Sequence, residues 1–114
     1  MPAEAGGFPR YPGTWQRALL PMCLLAGLEN GSNHGYALAK KLEERGFSPL
    51  KGATLYPALG KLEEAGYIRG AWKEGRGAPG RKVYALTASG RERLRTLRML
   101  WDSFQSTVSR PHEQ

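Results

Sequence analysis

Apolar residues along the 114-residue chain recur at two periods, three-to-four and two, and the segments they mark differ sharply in how tidy they are. The least tidy is "GATLYPALGKL", residues 52–62, where Leu55, Leu59 and Leu62 keep helical spacing although Tyr56, Pro57 and Gly60 interrupt it. The spacing predicts a helix from near Ala53 or Thr54 to Gly66, with Leu55, Ala58, Leu59, Leu62 and Ala65 inward. Thr54, Tyr56, Pro57, Gly60 and Lys61 are then left facing outward. A start at that point puts Pro57 in or beside the first turn, where backbone N–H groups have no intrahelical partner. Gly60 costs the helix about 1 kcal/mol relative to alanine. Close approach to a partner and simple drift at a surface position both account for it.

The remaining pattern predicts three more helices and a hairpin. Helix one runs from a Thr14 cap to Asn30 and Gly31, and its run "ALLPMCLLAGL" (18–28) is apolar on nearly every face, so it must be covered on two sides. Pro21 inside it kinks the helix or marks its true start, since an interior proline costs about 3 kcal/mol. Helix two is "HGYALAKKLEERG" (34–46), capped by Ser32 or Asn33 and stopped by Gly46, with Tyr36, Leu38, Ala39 and Leu42 inward. After helix three, "YIRGAWKE" (67–74) and "RKVYAL" (81–86) read as strands joined by "GRGAPG". The first alternates Ile68, Gly70 and Trp72 against Arg69, Ala71 and Lys73. Thr87 caps a last long helix whose Leu94, Leu97, Trp101, Phe104 and Val108 form a heptad seam. That seam is too short for a free coiled coil, so helix one, through Leu20 and Leu24, is expected to complete a dimer surface with it.

Composition sharpens this picture. Lysine and arginine number 17 against 10 acidic residues, and the imbalance is concentrated: ten against four from Tyr67 onward, seven against six before it. A basic second half favours a polyanionic partner, nucleic acid or an anionic membrane surface. A single cysteine, Cys23, excludes an intrachain disulfide scaffold and suits a reducing cytoplasm. The longest apolar run covers about half of the roughly 20 residues a bilayer requires. The first residues lack the pattern of a secretory signal, so residues 1–13 read as a flexible arm of a cytoplasmic protein and 111–114 as a tail.

Three short helices followed by a two-stranded hairpin is the order of a winged helix-turn-helix, here over residues 14–86, with a dimerisation helix over 87–110: a mainly α, α+β fold. In that arrangement helix three enters the DNA major groove and the hairpin touches the flanking backbone. Lys51 and Lys61 bracket helix three and suit phosphates, while Thr54 and Tyr56 suit base edges or a thymine methyl. Packing against a neighbouring helix is the other role open to Tyr56. Arg76, Arg81 and Lys82, around the loop glycines, form a basic tip for the minor groove or its phosphates. Tyr36 and Pro57 complete the set of candidate DNA contacts.

The segments "HGYALAKKLEERG", "ATLYPALGKLEEAGYI" and "GRKVYALTASGRERL" are similar, in order and spacing, to the core of the PadR family of bacterial transcriptional regulators, over roughly residues 18–105. A single helix beyond the hairpin resembles the small subfamily, in which that helix pairs with helix one across a homodimer. The resemblance implies a repressor acting on a palindromic operator. It also implies a ligand role for Trp101, because in small multidrug-sensing members a tryptophan at this place walls a pore for planar aromatic compounds. Plain dimer packing is the alternative role for Trp101. Gly60 departs from the family, which often has a larger or basic residue there, so base-reading details do not carry over.

Other chemistry finds little footing. His34 and His112 stand far apart without cysteine or carboxylate companions, so no metal or other cofactor is expected. The loop "GRGAPG" lacks the glycine-lysine-serine ending of a phosphate loop. The glutamate pairs at 43–44 and 63–64 read as solvated charges, and no nucleophile, base and orienting group assemble into a catalytic site. Two rival readings remain: a winged-helix interaction module that no longer binds DNA, and an aromatic-ligand-binding protein for which DNA is secondary.

Overall fold

A computed structural model describes residues 10–75 and 78–111, with side chains left undescribed from 74 to 80. The arm before Arg10, Arg76 at the wing tip and the tail after Pro111 therefore lie outside the described residues. Helix α1 spans Gly13–Gly27 and is rooted by the Pro12 carbonyl, which accepts the Gln16 N–H at 3.0 Å. Thr14 is inside the helix rather than its cap, and Pro21 is interior rather than a start. Leu20, Leu24, Leu25 and Leu28 fall on its buried side. Gln16 is buried as well, yet satisfied: its Nε2 donates to the Tyr11 carbonyl at 2.5 Å and its Oε1 accepts the Ser48 N–H at 2.8 Å.

After a turn, Asn33–His34 forms a two-residue strand β1, too short to announce itself by alternation. Helix α2, Gly35–Glu44, follows directly from it. Neither Ser32 nor Asn33 caps that helix; His34 occupies the cap position, and the Asn33 side chain accepts the His34 N–H at 3.0 Å. Leu38 and Ala39 are buried as expected, but Tyr36 is 65 % exposed, a correction to its inward assignment. The residue lies on the first turn, where the α2 surface faces solvent rather than α1. Gly46, at φ 114°, closes the helix in a conformation only glycine adopts freely.

Helix α3 spans Gly52–Glu64, starting at Gly52 because the Lys51 carbonyl accepts the N–H groups of both Thr54 and Leu55 at 2.9 Å. Leu55, Leu59 and Leu62 are buried against α1 and α2, while Ala65 is exposed instead of inward. Beyond it, β2 (Ile68–Gly75) and β3 (Ala78–Leu86) pair antiparallel, and β1 adds to β3, giving a sheet of order β1-β3-β2. Ile68 is buried, but Trp72, on the same face four rungs further out, is 71 % exposed because the hairpin has by then left the core.

Helix α4, Ala88–Ser109, begins with the expected cap: the Thr87 hydroxyl accepts the Gly90 N–H at 3.0 Å and donates to the Gly66 carbonyl at 2.6 Å. Gly90 is demanded by space, since a Cβ there would lie 1.9 Å from the Tyr67 carbonyl oxygen. Arg98 then makes a bidentate pair with Glu29 at 2.8 and 2.9 Å, and Arg91 donates to the Glu29 carbonyl at 3.2 Å, tying α4 to the end of α1.

Candidate nucleic-acid interface

The outer side of α3 is left bare by the rest of the chain. Thr54, Tyr56, Pro57, Gly60 and Lys61 are all exposed, and Lys51 is exposed at the cap. Pro57 is the sixth residue of the helix, not part of its first turn, so the Ala53 carbonyl loses the donor that would ordinarily reach it. A Cβ at Gly60 would meet nothing within 4 Å, so its lack of a side chain relieves no crowding inside the protomer.

Tyr56 serves the scaffold as well as the surface. Its ring edge and Leu59 occupy the space beside Gly35, where an added Cβ would come within 2.9 Å of each. The glycine of "HGY" thus lets α2 sit directly on α3, the contact that holds a helix-turn-helix together. Tyr56 nevertheless keeps 48 % of its surface open. Tyr36 stands nearby on α2 with the Lys40 ammonium 5.9 Å from its ring centre.

The wing divides its cations. Arg81 is exposed and sits directly across the ladder from Lys73, two like charges at one rung, which repel unless an anion lies between them. Lys82, by contrast, points back to the helix: its Nζ is 3.1 Å from Glu63 Oε1, and that hydrogen bond raises its pKa above the ordinary lysine value. Sequence reasoning treated these neighbours alike and missed the exposed Trp72; 71 % exposure of so large an apolar side chain on a wing is the signal.

A second bare surface lies on α4 and α1. Trp101, Phe104 and Val108 are 38 %, 59 % and 66 % exposed, and with Trp15, Leu97 and Leu100 they border an apolar hollow of about 700 Å³. The rings of Trp101 and Phe104 lie 6.4 Å apart, tilted by 40°. Leu20, Leu24 and Leu94 do not belong to this surface: they are 3 %, 0 % and 2 % exposed, consumed by the protomer's own core. The heptad therefore packs inward at Leu94, partly at Leu97, and turns outward from Trp101 onward.

His34 is half-buried with its Nδ1 unpartnered, and Cys23 is half-buried with its thiol pKa pushed up by desolvation. Among the described residues no three histidine, cysteine or acidic side chains gather into a metal site, and no helix is long and apolar enough to cross a membrane.

Residues 24–96 match the PadR-like family of transcriptional regulators. Among solved structures the chain is similar to a PadR family transcriptional regulator from Eggerthella lenta, at 34 % identity over 83 % of this chain and 82 % of that one, with a TM-score of 0.76. It is similar also to a PadR-like transcriptional regulator from Bacillus cereus, at 28 % identity over 84 % and 93 % of the two chains, TM-score 0.75. A Streptococcus mutans protein matches at 28 % identity over 94 % and 98 %, TM-score 0.75. No curated protein matches the chain. The helix α3 with its bare outer side, the wing and the single long helix after it are the parts of one known architecture, and the chain belongs to the PadR-like family of transcriptional regulators, with a DNA-binding winged helix-turn-helix.

Proposed function

We propose that the protein is a homodimeric repressor that sets α3 of each protomer into successive major grooves of a roughly palindromic operator, about 34 Å apart. The observation that carries this reading is the uncovered outer side of α3, cationic at Lys51 and Lys61 and flanked by the like-charged rung of the wing. Lys51, Lys61 and Arg81 neutralise phosphates, while Thr54, Tyr56, Pro57 and Tyr36 lie against the groove. Repression follows from blocking polymerase. Fluorescence anisotropy against DNA from the protein's own upstream region tests the reading. Binding that weakens steeply with salt is expected, and no binding at low salt would leave the interaction-module reading in its place.

Dimerisation, on this reading, uses the apolar side of α4 with Trp15 of α1. The hollow beside Trp101 supports one addition: a planar aromatic ligand stacks on Trp101 and releases the operator. Quenching of tryptophan fluorescence by a planar dye should weaken in Trp101→Ala. Unchanged quenching would return Trp101 to plain dimer packing.

A further inference from the structure

Glu63 stands on the last turn of α3 and holds both strands of the wing at once. Its Oε2 accepts the N–H of Gly70 on β2 at 3.2 Å, and its Oε1 takes the Lys82 ammonium from β3 at 3.1 Å. Gly70 is what makes the second contact possible. A Cβ at that position would lie 2.5 Å from Lys82 Cε and 3.1 Å from Glu63 Oε2, so any side chain at residue 70 would fill the path along which Lys82 reaches the helix. The Tyr84 ring, on the residue paired with Gly70, lies 5.7 Å from the same ammonium and completes its surroundings.

The pair is about one-third exposed on each side. An ion pair so open adds little to stability. Its placement matters more, because it joins the helix that meets base edges to the wing that meets the backbone. Two contacts held in fixed relation favour the one DNA geometry that satisfies both, whereas a free lysine on a wing attracts any duplex through counterion release.

We propose that Glu63 is a positioning residue that fixes the wing against the reading helix and withholds Lys82 from phosphate, lowering affinity for arbitrary DNA and so raising the preference for the operator. The proposal rests on the DNA-binding reading given above. In Glu63→Gln the amide oxygen still accepts the Gly70 N–H, so β2 stays attached while Lys82 is freed.

The test titrates wild type, Glu63→Gln, Lys82→Gln and the double variant, each checked for folding by thermal melting. The probes are DNA from the protein's own upstream region and a shuffled duplex of equal length and composition, over a series of salt concentrations. Glu63→Gln should bind the shuffled duplex roughly threefold to tenfold more tightly, with a log-log salt slope steeper by about two per dimer, one phosphate for each protomer. Its preference for the upstream DNA should fall about tenfold. Lys82→Gln should keep the wild-type salt slope, and in the double variant, which has no lysine to free, both slope and preference should return toward wild type. A Glu63→Gln slope and preference equal to wild type overturn the proposal, as does a Lys82→Gln slope flatter by about two. Failure of the wild-type protein to bind either duplex overturns the DNA-binding reading itself and this inference with it.

Discussion

The two bare surfaces of the protomer are bare for opposite reasons. On α3, three buried leucines hold the helix down, and the exposed residues up to Lys61 are small, aromatic or cationic, with Glu64 the one exposed acid at the far end. On α4, Leu94 is buried and the same heptad then runs outward through Trp101, Phe104 and Val108, an apolar stripe that water penalises at roughly 25 cal/mol for each Å². The first surface depends on charge and is sensitive to salt; the second depends on area and is not. On the proposed reading, protomers pair through the second and meet DNA through the first, so each property rests on a different force.

Substitutions can separate the two. The largest effect is expected at the point where α4 is rooted, because Gly90→Ala places a Cβ 1.9 Å from the Tyr67 carbonyl oxygen and forces backbone to move. A loss of about 3 kcal/mol, read as a Tm lower by roughly 10 °C or more, should follow. Next, Phe104→Glu puts a charge into the apolar stripe at a position open in the protomer. Light scattering should find a monomer with an unchanged fold, and operator affinity should drop by about a hundredfold or more. A dimer of wild-type stability would show that the stripe is not the pairing surface.

On the other side, Lys61→Ala should leave the dimer intact and weaken upstream and shuffled DNA alike, flattening the salt slope by about two per dimer. The smallest effect belongs to the pair that ties α4 to the end of α1. Arg98 donates to Glu29 and holds its carboxyl below the usual glutamate range. A depressed carboxylate pKa stabilises the fold above the unfolded value, about pH 4.3, and that contribution fades as pH falls through the lower folded value. The small difference in Tm between wild type and Arg98→Met should therefore be present at pH 7 and shrink toward pH 3.

Much of this architecture was legible in the sequence because it is written in local signals. Leu55, Leu59 and Leu62 state the period of α3, Gly46 and Gly66 stop their helices at positive φ, and Thr87 caps α4 three residues before the N–H it accepts. What escaped depends on distance. β1 is two residues long and acquires meaning only from its pairing with Tyr84 and Val83. The heptad says that a face is apolar, not whether its partner is in the same chain, which is why Leu20, Leu24 and Leu94 read as dimer contacts although the protomer's own core takes them. Lys82 next to Arg81 looks like a second free cation until Glu63, 19 residues away, is brought beside it. Tyr36 reads as inward because periodicity continues past the point where the core ends, and Trp72 shows the same limit on the wing, exposed on the face that buries Ile68.

The rung shared by Lys73 and Arg81 has a consequence for the shape of the free wing. Hydrogen bonds close that ladder while the side chains above it push apart, so its outer rungs are the part of the sheet least favoured in isolation. A phosphate group between the two cations removes the repulsion and tightens the hairpin. Amide exchange at Lys73 and Arg81 should slow on DNA more than exchange at Ile68 and Leu86. On the proposed reading, bound nucleic acid supplies the counter-charge across this rung and stiffens a strand pairing that the free protein already makes.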